Sequence, residues 1–247
     1  MATVDVVVPV YNEQHSLPKS IPALRDFLDS AAFPYTSRIV IADNASTDET
    51  PAVGRELAEN SAGSVEYVRI ERKGRGFALK QTWLASTMDI VSYMDVDLST
   101  GLEAFPQLIG AIAEGGYDVA VGSRLSPQSQ ITRSFKRRLL TRGYNTLIKT
   151  LFFTRFSDAQ CGFKAVSRAA AQLIVPLIED NNWFFDTELL ILAEKMGYQV
   201  KDVPVEWVED TDTRVKIGAT VMEDLRGLLR LRTGRPWRRA NGAPPAG

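Results

Sequence analysis

Ser92-Tyr93-Met94-Asp95-Val96-Asp97 is the stretch on which the reading of this chain turns. Ile90 to Met94 has the β-branched and aromatic content of a buried strand, and two carboxylates follow where it ends. In extended chain, residues two apart point to the same side, so Asp95 and Asp97 can aim their oxygens at one point. Two anionic groups held that close repel unless a cation lies between them. Hard divalent ions such as Mg2+ or Mn2+ prefer oxygen ligands, and Mg2+ typically takes one or two protein carboxylates and completes its shell with water and phosphate oxygens. The pair is therefore expected to hold a divalent cation that in turn holds a diphosphate. An Asp-x-Asp triplet is common in solvated turns, so the weight of this reading comes from what surrounds it.

Outward from that stretch, strands and helices alternate. Val4 to Val10 is a continuous strand run closed by Tyr11-Asn12-Glu13, with a helix from about Leu17 to Asp29 that Ser16 can cap. Arg38 to Ala42 is a second strand ending in Asp43-Asn44-Ala45-Ser46-Thr47-Asp48, followed by a helix to about Ala58. Val65 to Ile70 is a third strand, and Lys73-Gly74-Arg75-Gly76 leads into a helix from about Phe77 to Ser86. Beyond the aspartate pair, Leu102 to Glu114 reads as helix and Asp118 to Val121 as strand. This alternation predicts an α/β fold with a mostly parallel central sheet. In such sheets ligands bind beyond the carboxyl ends of the strands, so the polar motifs should converge on one crevice. The second half is less regular. Ser126 to Thr132 is a polar loop, Ser134 to about Leu151 an amphipathic helix, Gly162 to Ser167 a short strand, and Asp186 to Met196 a helix. Val200 to Val208 alternates around Pro204, which favours a sheet edge. We divide the chain into a domain at 1–217 and a basic amphipathic extension at 218–247, whose last residues, Asn241 to Gly247, are expected to be disordered.

Composition narrows the function. The net charge of −1 gives no overall attraction to nucleic acid. The single cysteine, Cys161, rules out an intramolecular disulfide and suits a reducing compartment, and the single histidine, His15, argues against a histidine-based triad or metal site. The N-terminal Val4-Asp5-Val6-Val7-Val8 run does not read as a signal peptide. No apolar run approaches the roughly 18 residues of a membrane span; the closest, Leu147 to Phe153, is interrupted by Lys149.

The ordered landmarks Pro9-Val10-Tyr11-Asn12-Glu13, Asp43-Asn44-Ala45-Ser46, Lys73-Gly74-Arg75-Gly76 and Asp95-Val96-Asp97 resemble those of family 2 glycosyltransferases. Gly122-Ser123-Arg124, Asp158-Ala159-Gln160-Cys161-Gly162-Phe163-Lys164 and Phe185-Asp186-Thr187-Glu188-Leu189-Leu190 resemble the polyprenyl-phosphate and dolichyl-phosphate sugar transferases, in particular their glucosyltransferase branch. The resemblance spans roughly residues 4 to 217. It implies a GT-A-like nucleotide-sugar fold with a mixed, mostly parallel sheet. It also implies inverting, metal-dependent transfer from a nucleotide diphosphate sugar to a polyprenyl phosphate.

By that resemblance Pro9, Tyr11 and Glu13 contact base or ribose, and Asp43 contacts the base. Lys73 to Gly76 has the composition of a phosphate-contacting turn, in which Gly74 and Gly76 lack a Cβ and let backbone N–H groups approach an anion, with Lys73 and Lys80 bringing full charges. Arg72 and Arg75 add charge there, and the residues alone do not say which cation meets phosphate. Arg214 and Lys216 fall in a loop that closes over the diphosphate in the family. Arg124 and Arg137 align with acceptor-phosphate arginines, a task to which the planar guanidinium is suited. Asp158 is the third carboxylate of the reaction centre; orienting the acceptor, assisting the metal and acting as a base all stay open. A base is least needed with a phosphate acceptor, which is already ionised at pH 7. Gln160 is assigned to the sugar site, and Cys161 reads as packing.

The expected partners are a nucleotide-sugar donor, with UDP-glucose preferred and GDP-mannose the runner-up, and a polyprenyl phosphate acceptor. The expected place is the cytoplasmic side of a membrane, bound peripherally to the bilayer or to a membrane protein. The apolar residues beside the basic ones in the Ser134–Leu151 helix, and Leu225, Leu228, Leu229, Leu231 and Trp237 among six arginines in the tail, suit an interface, with little after the tail for it to pack against. Homo-oligomerisation is left open. Two other classes remain at this point: a transferase acting on a hydroxyl acceptor, and a non-catalytic nucleotide-sugar-binding subunit.

Overall fold

Strand β1 (Thr3–Val10) is the hydrophobic run read from the sequence, and it lies inside the sheet with both of its faces covered. It pairs in parallel with β2 (Thr36–Asn44) on one side and β4 (Ile90–Met94) on the other. Beyond β2 lies β3 (Val65–Ile70), also parallel. The computed structural model describes residues 1–132, 135–208 and 217–240, with side chains described for all of these except 130–132, 135–138, 208, 217–220 and 239–240. The sheet has seven strands in the order β3-β2-β1-β4-β7-β5-β8, where β5 is Val119–Ser123, β7 is Phe163–Ser167 and β8 is Val200–Pro204. The strand β7 alone runs antiparallel, between β4 and β5. This is the mixed, mostly parallel α/β sheet that the alternation predicted.

Helices cover both faces. On one side are α1 (Leu17–Leu28), α2 (Thr50–Glu59) and α4 (Phe105–Ala113), where Phe105 stacks on Phe33 with ring centroids 5.1 Å apart. On the other are α3 (Arg75–Ala85), α6 (Arg168–Ile174) and α7 (Phe185–Lys195), where Trp83 meets Phe185 edge-on at 5.8 Å. Side chains such as Val6, Val8, Ile41, Val91, Trp83 and Leu189 are fully buried between these layers. Each contributes roughly 1.5–3 kcal/mol on leaving water. Helix α6 had no sequence expectation; it is capped by the Ser167 hydroxyl, which accepts the Ala170 N–H. Ser16 does not cap α1: its hydroxyl donates to Glu13 Oε2 at 2.6 Å instead.

The remaining elements frame one end of the sheet. The expected Val200–Val208 strand breaks after Pro204 into edge strand β8 and β9 (Glu206–Val208), and β9 pairs in parallel with β6 (Gln130–Thr132), inside the loop expected to be irregular. Helix α5 (Phe135–Phe152) follows. Helix α8 (Ile217–Gly234), expected to have little to pack against, is docked along the domain: Leu228 and Leu231 are buried, and Gly227 lies so close to the Phe184 ring that a Cβ would sit 2.4 Å from it. A short α9 (Trp237–Ala240) sets Trp237 against Phe152. Residues 241–247, expected to be disordered, lie outside the described residues. No helix among the described residues is long and apolar enough to cross a membrane.

Candidate active site

Because β1 to β5 run one way, their carboxyl ends share one edge of the sheet, and the antiparallel β7 begins there, with Phe163 opposite Met94. Topology therefore brings Asp158–Gly162, at the start of β7, beside the aspartates at the tip of β4. The approach is close: a Cβ on Gly162 would lie 1.8 Å from Asp95 Oδ2. Asp95 is half-exposed, and Asp97 stands exposed on the next turn with Oδ1 accepting the Ser99 N–H at 2.9 Å.

The residue beside Asp95 that sequence reading did not single out is Arg75. Its Nη2 donates to Asp95 Oδ1 at 2.8 Å and its Nη1 to Asp186 Oδ2 at 2.7 Å. The guanidinium lies 4.8 Å from the Tyr93 ring centroid and 5.0 Å from that of Trp183. Behind it, Asp186 also accepts from the Tyr93 hydroxyl and from Lys164 Nζ, the latter at 2.8 Å, while Lys164 also donates to the Cys161 carbonyl at 2.6 Å. Burial by itself raises the Asp186 pKa, but Lys164 and Arg75 outweigh it and hold the carboxyl below the usual range. Lys164 and Arg75 balance the buried Asp186 and the half-exposed Asp95, so the charges at the floor of the site compensate one another. One signal was available in the sequence. A lysine inside the apolar strand Phe163-Lys164-Ala165-Val166 needs a carboxylate, and Asp186 in the Phe185–Leu190 motif is one that could supply it.

Arg124 follows β5 and meets Asp158 in a two-pronged pair: Nε to Oδ2 at 2.7 Å and Nη2 to Oδ1 at 3.0 Å, with the Arg124 N–H also reaching Oδ2. Asp158 is fully buried. Burial raises its pKa, yet the Arg124 guanidinium wins and holds it low, so it is a poor proton acceptor. The geometry gives Asp158 a task outside the three left open, fixing Arg124, and its low pKa speaks against the base. Gln160 donates its side-chain N–H to Asp224 Oδ2 at 2.8 Å, which ties α8 to this loop. Asp224 is buried, and burial pushes its carboxyl up to about 7. Burial likewise raises the Cys161 thiol to about 12, consistent with packing and not reactivity.

On the far side of β1, Lys73 Nζ lies 3.5 Å from the Tyr11 ring centroid, and the ammonium lowers the phenol pKa. The β1 and β2 loops are stitched together: Asn12, at φ 57°, gives its N–H to Ser46 Oγ at 2.9 Å and accepts the Thr47 N–H at 2.8 Å, and Glu13 gives its N–H to Thr50 Oγ1 at 2.7 Å. Pro9 is half-buried within β1.

At three of the expected contact positions the polar group has a protein partner. Asp43 is one. It is fully buried, accepting the Ser46 N–H at 2.9 Å, the Tyr67 hydroxyl at 2.5 Å and Arg69 at 2.8 Å, because the turn after β2 needs an acceptor at its centre. Gly74 gives its N–H to Asn44 Oδ1 at 2.6 Å, so that donor does not face an anion. At φ 152°, Gly74 is a glycine because its missing Cβ would strike the Asn181 carbonyl at 2.6 Å. Lys80 turns to the Ile178 carbonyl at 3.1 Å. The side chain of Arg137 on α5, and Arg214 and Lys216 altogether, lie outside the described residues.

Among the described residues no group of three or more His, Cys, Asp or Glu side chains comes together. A hard cation needs only one or two protein carboxylates where water and a ligand's phosphates complete its shell. The oxygen-only donors of Asp95 and Asp97, with Gly162 clearing room at Asp95, fit such an ion.

The model of the family described as glycosyl transferase family 2 matches residues 5–174. Glycosyltransferase AglD of Haloferax volcanii is 35% identical over 229 residues, which are 91% of this chain and 35% of that protein, so this chain spans about a third of that relative's length. The dolichyl-phosphate beta-glucosyltransferase of Saccharomyces cerevisiae is 30% identical over 247 residues, 92% of this chain and 73% of that protein. Glucosyl-3-phosphoglycerate synthase from Mycobacterium tuberculosis, crystallised with Mn2+, uridine diphosphate and glucosyl-3-phosphoglycerate, superposes with a TM-score of 0.69 at 21% identity. The match covers 94% of this chain and 80% of that one, and it supports the GT-A-like fold.

Proposed function

The chain belongs to glycosyl transferase family 2, and on that basis we propose that it transfers glucose, with inversion, from UDP-glucose to a polyprenyl phosphate. The observation that carries this reading is that two charged arrangements flank the Asp158–Gly162 loop, near enough for Asp95 to act electrostatically on Arg124. On one side is the exposed end of the Asp95 pair; on the other is a guanidinium clamped by a buried carboxylate, Arg124 on Asp158. The first suits a metal-bound leaving diphosphate, and the second a fixed positive group for an acceptor phosphate.

Asp95 and Asp97 would hold a Mg2+ or Mn2+ ion, which when bound offsets the charge that develops on the departing UDP. Tyr11, Glu13, Pro9 and Lys73 form the donor wall; Arg214 and Lys216 are assigned to its cover and Arg137 to the acceptor side. The acceptor phosphate oxygen attacks the anomeric carbon as the bond from that carbon to the diphosphate oxygen breaks. The phosphate arrives ionised, so no proton has to be taken from it, in keeping with an Asp158 locked to arginine. A lipid acceptor also requires the enzyme to work at a bilayer, and we place it peripherally on the cytoplasmic face.

The test is a panel of UDP- and GDP-sugars offered with a short polyprenyl phosphate and Mn2+, with products read by mass spectrometry. A hexosyl-phosphoprenol made from UDP-glucose is expected. GDP-mannose as the better donor would replace the nucleotide assignment. Transfer to a plain alcohol with none to the phosphate would replace the acceptor.

A further inference from the structure

Helix α8 has two apolar faces, and only one is used by the domain. Asp224, Leu228 and Leu231 point inward and are buried. Val221, Met222, Leu225 and Leu229, at helical spacing on the other side, are each between 44% and 65% exposed. At the end of this stripe the chain turns at Arg235, and a cavity of about 190 Å³ opens between the ends of α5, α7 and α8. Four cations line it, Lys195, Arg232, Arg235 and Arg238, along with Phe153 and Trp237. Phe153 is 81% exposed. Among the described residues, no carboxylate pairs with Arg232, Arg235 or Arg238. Cations at a helix C-terminus can simply serve its carbonyls, and Arg235 Nε does reach the Arg232 carbonyl at 3.3 Å. That contact employs Arg235, and Arg232 and Arg238 keep the cavity cationic.

We propose that this face docks on a bilayer containing anionic phospholipid, with a headgroup phosphate in the cavity and the Val221–Leu229 stripe and Phe153 in the acyl boundary. Charge and shape together choose this occupant. A second copy of the chain packed on the stripe would cover the apolar residues but supply no phosphate to the cation-lined cavity. A free phosphate would leave the apolar stripe uncovered. A bilayer with anionic headgroups satisfies both features at once. The inward face of the same helix reaches the candidate site through the Asp224–Gln160 bond, about 15 Å along α8 from the cavity at 1.5 Å per residue. Docking would thus set the crevice beside the membrane surface, where a lipid-borne acceptor phosphate lies. This inference deepens the lipid-acceptor reading and rests on it for its purpose, though not for its geometry.

The test is co-sedimentation of the full chain with sucrose-loaded vesicles of phosphatidylcholine alone or with 30% phosphatidylglycerol. Binding to the mixed vesicles and weak binding to the neutral ones are expected. The combined Arg232→Gln, Arg235→Gln and Arg238→Gln variant, altered at two exposed positions and one half-buried one, should lose on the order of 100-fold in partitioning. Leu225→Ser with Leu229→Ser should lose on the order of tenfold. Circular dichroism should show both folded. Equal binding to the two vesicle types, or wild-type partitioning by the arginine variant, would overturn the proposal. So would a sedimenting dimer that Leu225→Ser with Leu229→Ser dissolves. Turnover of a water-soluble short prenyl phosphate without vesicles should be unchanged in the arginine variant. If wild type binds mixed vesicles but transfers nothing to that acceptor, the docking face stands and the substrate assignment falls.

Discussion

Gly162→Ala is the substitution that most sharply separates a metal-holding Asp95 from an ordinary surface acid. The added Cβ would sit 1.8 Å from Asp95 Oδ2, 2.6 Å from Cγ and 2.9 Å from Oδ1. An ordinary carbon–oxygen contact is about 3.4 Å, so the carboxylate must shift by roughly 1.5 Å. The backbone at Gly162 is not in the left-handed region, so alanine itself is tolerated and the strain falls on Asp95. Moving Asp95 breaks its 2.8 Å bond to Arg75, a charge-assisted contact on a half-exposed group worth about 1–2 kcal/mol. For a chain of this size that is a fall in Tm of roughly 2–8 °C. The effect on a cation is larger. Metal–oxygen distances tolerate only about 0.2 Å, and disturbing the groups that orient a ligand typically costs 10–100-fold in affinity. Mn2+ titrated in the presence of UDP, with free Mn2+ read by electron paramagnetic resonance, should show a loss in that range while calorimetry shows a folded protein. A variant that keeps wild-type Mn2+ affinity would refute the assignment of Asp95 as a ligand.

Three further outcomes follow from the same geometry. Lys164→Met removes one of the two cations facing the buried Asp186; unfolding calorimetry should show a loss of about 3 kcal/mol, and a loss below 1 kcal/mol would mean that Arg75 balances Asp186 unaided. Arg124→Lys cannot keep the two-pronged hold on Asp158, so the acceptor KM should rise about 10–100-fold while UDP affinity, measured by calorimetry, stays unchanged. Asp224 has its pKa raised to about 7, above its unfolded value near 4. It therefore favours the folded state at low pH, and that contribution is lost as pH rises from about 4 through 7. Wild type should lose roughly 2–4 kcal/mol from this group by pH 8, and Asp224→Asn should flatten the fall in Tm between pH 5 and pH 8.

The sequence revealed most where one local rule governs. Continuous β-branched runs marked β1, β2 and β4, and the polar tips after them fell on the same sheet edge because parallel strands leave no other place for them. It revealed less where distant residues decide. Arg75 looked like one of several basic residues near a glycine turn. Only the antiparallel insertion of β7 and the packing of α7 bring Asp95 and Asp186 to either end of its guanidinium. Asp43 and Gly74 carry the residue types of ligand contacts, yet their polar groups are taken up inside the protein by Tyr67, Arg69 and Asn44. Helix α8 looked like a tail because its inward anchors, Asp224, Leu228 and Leu231, are interleaved with an equally apolar outward set.

The claim beneath all of this is that the tip of β4 grips a cation which grips a nucleotide diphosphate. Anomalous diffraction at the manganese edge, from crystals grown with UDP and Mn2+, addresses it directly. A peak on the order of 2 Å from carboxylate oxygens of Asp95 or Asp97, shared with the UDP phosphates, is the expected result. Ordered UDP whose manganese peak lies away from both aspartates would contradict it.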